Sequence, residues 1–193
     1  MEQKLSRRAT LRSLGAVAGV AALDWGTIAR ASHDAHQAAQ SGAPLEYTLL
    51  GAADAADVEA LTSQIVPSDE TPGAREAGAS LFIDHALGSF FAHLRPAFTA
   101  GLFQFQGAAR AAYPQSPSFA ALSSDQQIAF LHTVDTTPFF DLARQLTMCG
   151  MFTNPPYGGN RDKLGWKLIG FQDQHVFEPP FGYYDTPGNE GMP

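Results

Sequence analysis

Six histidines, one cysteine and a glycine-led run at residues 158–162 are the groups in this 193-residue chain with the most chemistry to offer. The histidines are His33, His36, His85, His93, His132 and His175, and no two are spaced as His-Glu-x-x-His. Asp84-His85 invites a base-and-orienter reading, but neighbours on a helix point about 100° apart and do not face each other. Asp69, Glu70 and His85 together are the remaining candidates for a hydrolytic site. Glycine-rich dinucleotide fingerprints, Gly-x-Ser-x-Gly elbows and Cys-x-x-Cys-His haem attachments do not occur. A single cysteine, Cys149, excludes a disulfide scaffold and a multi-cysteine zinc or iron–sulfur site. Its open readings are a small buried hydrophobe, an inter-subunit disulfide in an oxidising compartment, and catalysis.

Gly158-Gly159-Asn160-Arg161-Asp162 admits three structures. Glycine and asparagine tolerate positive φ and glycine permits close backbone approach, so the run could form an anion nest. It could instead be a tight loop whose Arg161 pairs with Asp162 or with a partner. The third reading is a turn before a short helix from Arg161 to Ile169. Trp166, with Gly165 before it, is an amphipathic anchor of the kind enriched at interface hot spots.

The elements that must position these groups are helical. Val58, Leu61 and Ile65 make one apolar stripe, ended by Pro67; Asp57 and Glu59 lie off it. Ile83, Leu87, Phe90, Phe91 and Leu94 predict a second helix with a wide apolar face. Pro96 fits the first turn of a third, whose face is Phe98, Leu102, Phe105, Ala109 and Ala112. Ser123-x-x-Gln126 and Ser124-x-x-Gln127 both have capping-box spacing ahead of Ile128 and Leu131. Thr137-Pro138 opens a fifth helix through Phe139, Leu142, Ala143 and Leu146, with Cys149-Gly150 as its stop. The expectation is an all-α domain of about five helices over residues 53–193, including a long Gly/Pro/aromatic-rich tail, 151–193. A segment rich in aromatics needs a surface to pack on, and Phe177 and Tyr183 join Trp166 as candidate contacts.

Charge divides the chain. Residues 1–31 carry five basic and two acidic side chains, and the remainder carries seven basic and seventeen acidic. The acidic body lacks the convergent cations that phosphate neutralisation requires, which argues against nucleic acid. The basic start, Ser6-Arg7-Arg8-Ala9-Thr10-Leu11-Arg12, precedes an apolar run from Ser13 to Leu23 and a small-x-small site at Ala29-Arg30-Ala31. This order reads as a secretory signal, and the paired Arg7 and Arg8 resemble a twin-arginine signal cleaved after Ala31. Thr10 stands where such signals usually have Phe. Residues 32–52 read as a linker, with a short extended piece at 45–50. Twin-arginine export carries folded cargo, so the expected location is the periplasm, with membrane association indirect or through an uncleaved signal.

Three blocks carry a family resemblance: the twin-arginine start; Ile65-Val66-Pro67-x-Asp69 with Pro72-Gly73-Ala74, Ala77-Gly78 and Phe82-Ile83-Asp84; and Tyr157 to Asp162 with Gly165-Trp166-Lys167 and Ile169-Gly170-Phe171. Over roughly residues 54–171 the chain resembles subunit 3, the small or gamma subunit, of membrane-associated gluconate 2-dehydrogenases and related FAD-dependent sugar and glycoside dehydrogenases. The resemblance implies a chain with no catalytic, cofactor or metal site of its own. A large partner of the glucose–methanol–choline oxidoreductase type would hold FAD, and a c-type cytochrome in some complexes would hold haem c. The small subunit would help the large one fold and travel with it. On that reading Gly158, Gly159, Asn160, Arg161, Asp162, Trp166, Phe177 and Tyr183 face the partner, and Cys149 is available for an inter-subunit disulfide. The competing expectations are an exported sugar-binding module without an obligate partner and a free-standing exported enzyme.

Overall fold

A computed structural model describes residues 46–174, with 176 and 178. The signal segment with Arg7, Arg8 and Ala31, the histidines at 33, 36 and 175, and Phe177 and Tyr183 lie outside the described residues. Six α-helices and no strands occur among those described: α1 Ala52–Ile65, α2 Ala79–Gly88, α3 Arg95–Ala112, α4 Ser124–Val134, α5 Pro138–Phe152 and the short α6 Leu164–Leu168. The all-α expectation is met.

Helix α2 is the centre of the body. Every residue from Ala79 to Asp84 is buried, as are Ala86 and Leu87. It packs most extensively against α5, while α3 covers α5 from one side and α1 covers both. The core they enclose is built on aromatic rings. Phe105 meets Phe119, Phe130 and Phe139 at centroid separations of 4.9, 5.3 and 5.5 Å, with the tilted geometry that ring quadrupoles favour. The predicted face of α3 holds, since Phe98, Leu102, Phe105 and Ala109 are buried; Ala112, at its frayed end, is exposed.

Local signals set the helix starts. Of the two possible capping boxes the chain uses Ser123 and Gln126: the Ser123 hydroxyl accepts from the Gln126 amide, and the Gln126 side chain accepts from the Ser123 amide. The Thr137 hydroxyl accepts from the Phe140 amide at the start of α5. Ser123→Ala is expected to cost about 1 kcal/mol, read as a fall in the urea midpoint without a change in its slope.

Two boundaries differ from the sequence reading. Helix α2 ends at Gly88 rather than running to Leu94. The Ser89 hydroxyl donates to the His85 carbonyl at 2.6 Å and the Ser89 amide to the Ala86 carbonyl, which diverts the groups a further turn would need. Phe90 and Phe91 therefore stand half-buried against the edge of the core, and Ala92–Leu94 form a separate 3-10 turn. Helix α5, by contrast, continues through Gly150 to Phe152. A Cβ at Gly150 would lie 2.9 Å from the Ala79 Cα, so this glycine marks the closest approach of α5 to α2 and not a stop.

Two buried carboxylates tie irregular segments to the helices. Asp84 is fully buried and accepts four hydrogen bonds, from the amides of Thr48, Leu49 and Leu50 at 2.7, 2.9 and 2.6 Å and from the Thr48 hydroxyl. Tyr47 adds a hydroxyl contact to Ser80, and burial raises its pKa. Residues 46–50, counted with the linker, are thus hydrogen-bonded to the most buried helix. Asp57, placed by periodicity off the apolar stripe, is buried as well. It accepts from the Ala120 amide and from the Gln106 side chain, fixing the Pro/Ser segment before α4.

Candidate partner interface

The segment after α5 is laced to the helices through backbone contacts. The Asn160 amide donates to the Gly150 carbonyl at 2.7 Å, and the Arg161 amide to the Ala77 carbonyl at 3.0 Å. A Cβ at Gly159 would strike the Gly150 carbonyl, and one at Gly165 would strike the Met151 carbonyl. Gly158 supplies the turn with φ +97°. Asn160, with φ +46°, has no solvent exposure. Its side chain donates to the Thr153 carbonyl and accepts from the amides of Gly165 and, at longer range, Trp166. The two sequence blocks around residues 77 and 160 therefore meet at one joint between the start of α2 and the end of α5.

This geometry separates the predicted contact residues. Gly158, Gly159 and Asn160 are buried within the chain, which corrects their assignment to a partner surface: their small size and special φ are used against this chain's own backbone. Arg161 and Asp162 are exposed, and they form no ion pair with each other. The anion-nest reading is also corrected, because the amides of Asn160, Arg161 and Lys163 already donate to carbonyls of Gly150, Ala77 and Asn160. What remains is the turn before a short helix: a 3-10 turn at Arg161–Lys163 followed by α6.

Trp166 is half-buried, its indole N–H donating to the Phe152 carbonyl at 2.8 Å. The Phe171 ring packs on it at 5.0 Å, and the Lys163 ammonium lies over its face at 5.7 Å. Phe152 also lines an apolar pocket of about 430 Å³, whose other walls are Phe82, Phe90, Phe91, Cys149, Thr153 and Tyr157. The early end of α2 creates it, since Phe90 and Phe91 belong to the turn that replaces the missing helix. Phe152 joins the pocket to the Trp166–Phe171 pair, and Met148, Leu168, Ile169 and Phe171 stand exposed nearby in sequence. Apolar side chains left exposed in this way, as Phe103 on α3 and Ile128 on α4 also are, are candidates for an interaction surface.

Cys149 is exposed, which corrects the buried-thiol reading; partial desolvation beside the pocket pushes its pKa up, so it stays a thiol at neutral pH. Asp69 accepts from the Thr71 amide and hydroxyl in a local turn that holds its carboxyl below the usual range. Glu76 is lowered likewise by the Ser68 hydroxyl and the Gly73 amide. His85 turns its Nε2 to the Glu46 carbonyl and its Nδ1 toward Gly158, away from Asp84. No hydrogen bond or ion pair connects Asp69, Glu70 and His85 among the described residues. Nor do those residues contain a group of three or more His, Cys, Asp or Glu placed to hold a metal. No described helix is long and apolar enough to cross a membrane. Sequence reasoning missed Asp84 as an anchor and Phe90–Phe91 as pocket walls; the one available signal was a carboxylate inside the apolar run Phe82-Ile83-Asp84-His85-Ala86-Leu87.

Comparison with known families matches the helical body from α1 through α6. No curated protein and no solved structure matches the chain. The family described as Gluconate 2-dehydrogenase subunit 3 matches residues 52–173, from the first residue of α1 to the aspartate that pairs with Lys163 beyond α6. The chain therefore belongs to the gluconate 2-dehydrogenase subunit 3 family.

Proposed function

We propose that this chain is a non-catalytic small subunit of an exported FAD-dependent dehydrogenase complex. It braces a large flavin-bearing subunit and carries it through the twin-arginine route to the periplasm. The observation that carries this reading is the family match over residues 52–173. The geometry adds an apolar end surface on a rigid helical body, which suits docking. The buried polar groups are used to hold segments together: Asp84, Asp57 and Asn160 each bond to this chain's own groups. FAD belongs to the partner in this reading, and haem c to a third subunit where one is present. The substrate is a sugar, sugar acid or glycoside, read by the partner's pocket. An obligate complex buries more than ~2,000 Å² in total, so the subunit alone is expected to be poorly soluble. Cys149, exposed beside the pocket, is placed to form a disulfide with a partner thiol in an oxidising compartment.

The test is co-expression with a large flavoprotein of the glucose–methanol–choline type from the same genome, beginning with any encoded beside this chain. With both present, protein-bound flavin should appear in the periplasm, and non-reducing electrophoresis should show whether Cys149 links the chains. Arg7→Lys with Arg8→Lys should leave both proteins in the cytoplasm, cutting periplasmic flavin at least tenfold. A chain that stays soluble, monodisperse and redox-active alone, or a flavoprotein exported equally without it, would refute the proposal.

A further inference from the structure

Resting on that reading, we infer that the large subunit docks on the α5–α6 end of the body, setting an apolar side chain into the Phe90–Phe91–Tyr157 pocket and acidic groups against Arg161 and Lys167. Four observations place it there. The pocket is concave, about 430 Å³, and its walls are rings already packed on one another: Phe90 meets Phe91 at 4.7 Å and Tyr157 at 5.5 Å. A preformed cavity with immobilised walls suits one inserted side chain, because little conformational entropy is lost on binding.

Charge supplies the second observation. Beyond residue 31 the chain has seven basic side chains, and three of them, Arg161, Lys163 and Lys167, fall within seven residues that hold one acidic side chain, Asp162. Elsewhere that part of the chain is acidic. Lys163 is engaged by Asp173 at 2.7 Å, while Arg161 and Lys167 are exposed and form no ion pair among the described residues. A basic edge on an otherwise acidic body selects a partner surface rich in Asp and Glu.

The third observation is where the chain leaves the body. Phe171 packs on Trp166 and Asp173 pairs with Lys163, so the chain departs from this same end with some twenty residues still to come. A partner seated here is therefore adjacent to the point where the chain leaves the body. The fourth concerns rigidity: the loop carrying Arg161 is stitched to α2 and α5 by main-chain bonds, so its charge is presented at a fixed position. An anionic membrane would also attract basic and apolar groups. A concave pocket and an acidic body favour a protein instead, because membrane binding uses projecting apolar faces on cationic helices.

The experiment co-purifies the full-length subunit with its flavoprotein partner from co-expression and measures dissociation of the complex on dilution at several salt concentrations. The variants are Thr153→Trp, which fills the pocket, and the pair Arg161→Glu with Lys167→Glu. The pair Arg95→Glu with Arg110→Glu, on α3, makes the same charge change elsewhere. Thermal unfolding checks that each variant is folded. Pocket filling and the α6 reversal should each raise the Kd at least tenfold, and the α6 reversal should also flatten the salt dependence. The α3 pair should change the Kd less than threefold. The docking assignment is overturned if either α5–α6 variant binds normally, or if the α3 pair weakens binding as much. It is also overturned if phosphatidylglycerol vesicles capture the free subunit through Arg161 and Lys167 while the complex is unaffected. A wild-type chain that captures no flavoprotein at all sinks the functional reading itself, before any variant is compared.

Discussion

Gly165→Ala is expected to lower the unfolding temperature by about 10 °C and to release the loop at residues 153–166. The added Cβ would overlap the Met151 carbonyl and come within 3.1 Å of the Phe152 ring. A ring edge can move, but the Met151 carbonyl, in the last turn of α5, is backbone and yields only by distorting that turn. The cost lies at the upper end of overpacking penalties, about 3 kcal/mol, which for a body of this size corresponds to roughly 10 °C. The damage should spread. Gly165 donates its amide to Asn160, so displacing it breaks the carboxamide's bonds to Gly165 and Trp166 together. Trp166 fluorescence should shift to longer wavelength as the indole loses the Phe152 carbonyl. An alanine at the exposed Lys167, two residues on, should change stability by less than about 0.5 kcal/mol. Equal effects at the two positions would mean the lacing is not what holds the loop.

Asp84→Asn should destabilise the body by about 3 kcal/mol, although the side chain keeps its size and nearly its shape. One carboxylate oxygen accepts from Leu49 and Leu50, and the other from the amide and hydroxyl of Thr48. A carboxamide offers one acceptor and one donor group. Whichever way it lies, an NH₂ faces N–H groups on one side, leaving part-buried donors unpaired. Amide hydrogen exchange at Thr48, Leu49 and Leu50 should accelerate more than a hundredfold, while exchange in α4 should rise only by the change in global stability. Protection retained at 48–50 would show that Tyr47–Ser80 and the apolar contacts of Leu49 and Leu50 suffice to hold the segment.

The helices were legible because their stripes are local. Phe98, Leu102, Phe105 and Ala109 are four apolar positions on one face, and all four are buried. The same rule misled at Phe90 and Phe91, since apolar spacing continues across Gly88-Ser89 although the backbone hydrogen bonding does not. Asp57 and Asp84 show a different limit. Each is buried because its hydrogen-bond donors come from residues at least 34 positions away, and no local pattern announces them. Gly150 read as a stop because glycine often ends helices; here it admits Ala79 of α2. The Gly158–Asn160 run was correctly read as a place of close approach. Spacing says that something comes near, not whether it is a partner or the chain's own carbonyls.

The bonds between Asp84 and residues 48–50 have a mechanical consequence. Four hydrogen bonds converge on one side chain in the middle of α2, so tension on the amino end loads them together and does not unzip them one by one. A force at that end is delivered to the deepest helix, and the body should swing as a rigid unit about its point of attachment. Whatever grips residues 48–50 thereby grips α2 itself.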